Sequence, residues 1–84
     1  MTFSYYTKFA GIVTLKIYDQ NGDLVKVAAD GDAVTAGILY RAEWDGRNGV
    51  GAEVLSGVYY AELQLRRQDG TIEQPDTLPF TVLR

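Results

Sequence analysis

Apolar and polar residues alternate along most of the chain, which is the pattern of β-strands that bury one face. Between positions 12 and 18, Val13, Leu15 and Ile17 alternate with Thr14 and Lys16. The longest alternating segment covers positions 58–67, and its apolar face consists of Tyr59, Ala61, Leu63 and Leu65. No segment has the 3.6-residue period of a helix. The pattern therefore predicts an all-β protein.

Turn residues divide this pattern into strands at 3–7, 12–18, 24–29, 38–44, 58–67 and 80–83, with 71–75 as a possible seventh. Asn21-Gly22 predicts a tight hairpin with positive φ angles, after which Val25 and Val27 should point inward. Loops are expected at 30–37 and 45–57, and the two prolines should confine the last segment to an edge. We expect residues 1–84 to form one antiparallel β-sandwich of about six to seven strands, with a small barrel as the alternative.

Composition excludes most catalytic chemistry. The chain has no His and no Cys, so it cannot form a Ser-His-Asp triad, a cysteine nucleophile or a zinc site of the usual kind. A glycosidase with paired carboxylates needs neither residue, but Glu43, Glu53 and Glu62 are predicted on loops or exposed faces. We therefore expect no enzyme and no cofactor.

The charge argues against nucleic acid as a partner. The net charge is −3, whereas phosphate binding requires a basic surface. Arg66 and Arg67 are the only adjacent basic pair, and they are expected to be solvated charges on opposite faces of a strand. No apolar run is long enough to span a membrane. The first residues lack the pattern of a signal peptide, and we expect the chain to be one domain of a larger protein.

Two motifs have a structural interpretation that is favoured over a functional one. Trp44 is in phase with Tyr40 and Ala42, which favours a core residue over a sugar-stacking platform; Asp45 and Gly46 then supply a turn. Gly57 and Tyr59 have the spacing of a tyrosine corner, in which the hydroxyl bonds to the backbone a few residues upstream. The alternative for Tyr59 is a core tyrosine with a solvated hydroxyl.

Other polar and aromatic residues are weaker candidates for a site. Asp19, Asn21 and Asp23 have the alternate spacing of a cation-binding loop, but no downstream acid completes a calcium site, so a hairpin turn is favoured. Three tyrosines are out of phase with the apolar faces and form a possible binding surface: Tyr6, Tyr18 and Tyr60.

Several blocks, in this order, resemble the FlgD-type Ig-like domain: Val13 to Asp19, Asn21-Gly22, Trp44-Asp45-Gly46, and Ser56-Gly57-Val58-Tyr59-Tyr60. The resemblance covers about positions 12–65 and implies an Ig-like β-sandwich from the flagellar hook-capping protein or from other secreted bacterial proteins. It implies an extracellular or cell-envelope location and structural roles for Trp44, Asp45, Gly46 and Tyr59. The family has no shared catalytic residues to transfer.

These observations leave three functional hypotheses. The first is a non-catalytic accessory module that contacts neighbouring domains of its parent protein as a spacer, stabiliser or assembly surface. The second is a module that binds another protein or a glycan through the exposed tyrosines. The third is a subunit that assembles through edge strands, for which the uncharged strand at 3–7 is the candidate edge.

Overall fold

A computed structural model describes all 84 residues as six β-strands and no helix. The strands are β1 (Thr2–Tyr5), β2 (Gly11–Tyr18), β3 (Leu24–Val34), β4 (Tyr40–Glu43), β5 (Gly57–Arg67) and β6 (Asp76–Val82). They form a two-stranded sheet, β1-β4, and a four-stranded sheet, β3-β2-β5-β6, with every pairing antiparallel. The prediction of an all-β, Ig-like sandwich is confirmed, and the sheets do not close into a barrel.

The register of β2 and β5 builds the centre of the core. Leu15 pairs with Leu63 and Ile17 pairs with Ala61, so their side chains share the inner face. Val13 and Ile17 are fully buried. Because the inner face of the larger sheet has four strands and the sheet opposite has two, only 13 of the 84 residues are buried.

Strand β3 is longer than predicted. Asp30, Gly31 and Asp32, expected to open a loop, lie within the strand, which continues to Val34. Three register shifts against β2 make this possible, because each bulge absorbs an extra residue and keeps the pairing. One bulge also reverses a predicted face: Val27 pairs with the outward-facing Lys16, so it lies on the outer face.

The predicted boundaries of three other segments were also wrong. Strand β4 begins at Tyr40, and Ile38 before it is 50% exposed. Positions 71–75 form no strand and contribute only an isolated bridge between Arg66 and Ile72. Strand β6 begins at Asp76 and contains Pro79, which is tolerated because β6 is an edge strand.

Four aromatic side chains join the two sheets. Phe3 of β1 meets Phe80 of β6 with ring centroids 5.1 Å apart, and Trp44 meets Phe80 at 5.7 Å. Trp44 also contacts Tyr59 of β5, with centroids 6.1 Å apart. These edge-to-face contacts place the 2% exposed indole at the centre of the interface between the sheets.

We expect Trp44→Ala to lower the free energy of unfolding by about 3–5 kcal/mol, because it removes the largest side chain between the sheets and leaves a cavity. Urea denaturation followed by circular dichroism measures this loss. Leu55→Ala is the matched control, since Leu55 is 82% exposed and its truncation should change stability by no more than about 0.5 kcal/mol. A loss below about 1 kcal/mol for Trp44→Ala would show that the indole does not hold the sheets together.

Candidate functional site

The turn that follows β4 is held by its own polar groups. The indole Nε1 of Trp44 donates a hydrogen bond to the Arg47 carbonyl at 2.8 Å. The Asp45 carboxylate accepts the Arg47 backbone N–H at 3.0 Å, and Gly46 has a φ of 77°, which favours glycine. Trp44 and Asp45 therefore connect the core to the loop that follows.

Arg84 fastens this loop to the end of β6. Its guanidinium donates to the carbonyl oxygens of Val54 and Gly46, and lies 3.5 Å from the Glu53 carboxylate. Its backbone N–H donates to the Ser56 hydroxyl at 2.9 Å. Sequence reasoning missed Arg84, because nothing in a single terminal arginine indicates which distant carbonyls it meets.

Tyr59 forms a tyrosine corner at the start of β5. Its hydroxyl donates to the Leu55 carbonyl, four residues upstream, at 2.7 Å, and its ring is 7% exposed. Gly57 is the first residue of β5 and leads the chain into the strand. The bond therefore gives a buried hydroxyl its partner and fixes the end of the preceding loop.

Asp19, Asn21 and Asp23 form a hairpin turn. One carboxylate oxygen of Asp19 accepts the backbone N–H of Asn21 at 2.9 Å and that of Asp23 at 3.0 Å. The expected pair of positive φ angles was wrong: only Gly22 has one, at 82°. No three acidic side chains in the protein come together as metal ligands.

The three tyrosines proposed as a binding surface do not lie together. Tyr6 follows β1 and is 70% exposed, whereas Tyr18 and Tyr60 are cross-strand partners on the outer face of the larger sheet. Tyr60 is 37% exposed and Tyr18 is half-buried. Their pairing continues on both sides to Leu24 of β3 and Pro79 of β6. The result is an apolar row across all four strands, which we call the outer-face row.

A cleft runs between β1 and β6, and we call it the β1–β6 cleft. It comprises two adjoining cavities of about 700 and 380 Å³ that share Ser4, Leu63 and Asp76 in their walls. On β6, Leu78 pairs with the buried Ala61 and so lies on the inner face, yet it is 59% exposed. Part of the inner face of the larger sheet is therefore uncovered at this cleft.

One end of the cleft contains an arginine that was expected to be solvated. The Arg67 guanidinium lies 3.5 Å above the centre of the Phe9 ring and also pairs with the Glu73 carboxylate. Its Nε is buried without a hydrogen-bond partner. Nearby, burial raises the pKa of the Tyr5 hydroxyl, and Asp32 and Tyr40 raise it further. This end of the cleft is thus partly desolvated.

The tyrosine corner yields a direct test. Tyr59→Phe should lower the free energy of unfolding by about 0.5–1.5 kcal/mol, because it removes only the hydroxyl that bonds to Leu55. Tyr60→Phe is the matched control and should be close to neutral, since its side chain lies on the outer face. Paired urea denaturation curves measure both. Equal losses in the two variants would contradict this assignment of the two hydroxyls.

The family of the chain follows from one comparison. A family model described as the FlgD Ig-like domain matches residues 1–69, more than half of the chain. No curated protein and no solved structure matches it significantly. The protein contains no helix suited to crossing a membrane. The chain belongs to the FlgD Ig-like domain family, a bacterial, flagellar family of structural, non-catalytic domains.

Proposed function

We propose that the chain is a non-catalytic accessory module of a secreted or cell-envelope bacterial protein, and that it acts as an assembly surface. The observation that carries this proposal is that the polar groups suited to chemistry hold turns and loops instead. Asp19, Asp45 and Asp69 each accept a backbone N–H from the residue two positions later. The Thr71 N–H is the main reason that the pKa of Asp69 is lowered. Glu53 and Glu73 pair with arginines.

The positions of residues 1 and 84 favour an assembly surface over a spacer. Met1 exchanges backbone hydrogen bonds with Trp44, and Arg84 bonds to Gly46, two residues further along the same turn. Their Cα atoms are therefore no more than about 20 Å apart. The domain is 39 Å long, and both residues lie toward one end. A module joined to its neighbours there projects sideways from them, and its opposite end is free for contacts.

The outer-face row supports a second candidate function, binding of another protein or a glycan. Its four members lie side by side, and Leu24 is 53% exposed. Exposed aromatic and aliphatic groups in a row are typical of surfaces that a ligand covers. This candidate becomes the stronger one if a ligand is found whose binding is lost in Tyr60→Ala and retained in Tyr6→Ala.

Electron–electron resonance distances test the sideways arrangement. The chain has no native cysteine, so nitroxide labels at Thr2→Cys and Leu83→Cys report one distance without interference. We expect this pair to be shorter than a Tyr6→Cys and Leu83→Cys pair by roughly 10–15 Å, because β1 carries the chain away from the shared end by about 3.3 Å per residue. A Thr2–Leu83 distance equal to or longer than the control would place the two residues apart and support a spacer instead.

A further inference from the structure

Strand β1 has an unpaired edge that faces the β1–β6 cleft. Met1 and Trp44 exchange both backbone hydrogen bonds, and such pairs alternate along an antiparallel ladder. Phe3 and Tyr5 therefore also direct their N–H and C=O groups toward β4. The same groups of Thr2 and Ser4 point the other way, where no strand lies.

Among the four sheet edges, β1 alone has no feature that discourages pairing. Strand β3 is bulged three times and contains Asp30 and Asp32, β4 carries Arg41 and Glu43, and β6 contains Pro79. Strand β1 reads Thr-Phe-Ser-Tyr, without a charge, a proline or a bulge. Proteins protect sheet edges with charges, prolines and bulges, so an unprotected edge indicates that a strand pairs there.

The topology identifies the place as that of a missing strand. In Ig sandwiches the corner tyrosine lies at the start of strand F, which is flanked by strands C and G. Here β5 carries Tyr59 and is flanked by β2 and β6, so β1 and β4 correspond to B and E. Strand A borders B in that fold, and no strand of this chain occupies its position. The uncovered Leu78 is the inner-face residue that such a strand would bury.

We propose that the β1–β6 cleft binds one extended peptide segment of another protein by strand addition to β1. The segment has apolar side chains at alternate positions and a lysine or arginine among them. The cation is required by Asp76, which lies in the wall of both cavities and forms no ion pair. The proposal names a partner class for the assembly role proposed above and rests on that role only for its biological purpose.

A second copy of the chain does not fit the cleft in the same way. The larger sheet continues past β1 as β6, since Phe3 of β1 packs on Phe80. If two copies paired through β1, the larger sheet of the second copy would enter the space that β6 occupies. A single strand needs no such space, because neighbouring strands lie only about 4.8 Å apart. The cleft thus favours a lone extended segment.

The test uses a synthetic peptide, acetyl-Thr-Val-Thr-Lys-Thr-Val-Thr-Val-amide, titrated into the ¹⁵N-labelled 84-residue protein. We expect the amide signals of Thr2, Ser4 and Tyr6 to shift to lower field as they gain hydrogen bonds, with those of Tyr18 and Leu24 unchanged. Two versions N-methylated at alternate residues are the control. Only one set of amides faces β1, so one version should bind at least about tenfold more weakly and the other should bind as the parent peptide does.

Variants of the protein test the role of charge. Asp76→Asn should weaken the lysine peptide about two- to fivefold, because an exposed ion pair is lost. Asp30→Asn is the control and should change nothing, since Asp30 lies on the opposite edge strand. The proposal is overturned by no binding at millimolar peptide, or by equal binding of both N-methylated versions. It is also overturned if the β1 amides shift with protein concentration alone, which would assign the edge to a second copy. None of these outcomes alters the Thr2–Leu83 distance, so the assembly role is judged separately.

Discussion

The contact of the Trp44 indole with Phe80 and Tyr59 is the interaction on which the rest of this fold depends. A two-stranded sheet has too little surface to fold alone, so β1 and β4 persist only because they pack on the larger sheet. Phe3 adds the second aromatic contact across the sandwich. Everything attached to the small sheet, including the free edge of β1, therefore takes its position from this aromatic cluster.

The same residue links the core to the loop after β4. Trp44 Nε1 bonds to Arg47, and Arg47 bonds and pairs with the other side of that loop through Gly51 and Glu53. Arg84 then ties the loop to the end of β6. These are mostly hydrogen bonds from a charged group to backbone carbonyls, which fix a loop without apolar burial. A small domain with a thin core is ordered in this way at low cost in hydrophobic surface.

Alternation predicted the faces of β2, β4 and β5 because their pairing is regular. It placed Leu15, Ala42 and Tyr59 inside, where they lie. It did not predict the face of Val27, because a bulge changes phase without changing composition. The length of β3 was missed for the same reason, since Asp30-Gly31-Asp32 is also good turn chemistry. The cleft could not be predicted at all: it results from which strands lack a neighbour, and this depends on tertiary pairing.

The role of Arg67 shows a further limit. The sequence marked it as one of two strand-end charges, and only the fold places Phe9 beneath its guanidinium. Arg84 is a similar case, because its partners lie 28 to 38 residues away along the chain. Long-range contacts of single charged side chains carry no local signal. Turn-capping aspartates, in contrast, bond within a few residues and could be read from their spacing.

Native-state hydrogen exchange tests most directly whether the aromatic cluster joins the two sheets into one cooperative unit. The amides of Phe3 and Ala42 bond across β1 and β4, and those of the central strands β2 and β5 serve as the reference. If the account is right, both groups exchange only through global unfolding and give the same opening free energy. Exchange of Phe3 and Ala42 through an opening several kcal/mol easier than global unfolding would contradict it, because the small sheet would then detach by itself.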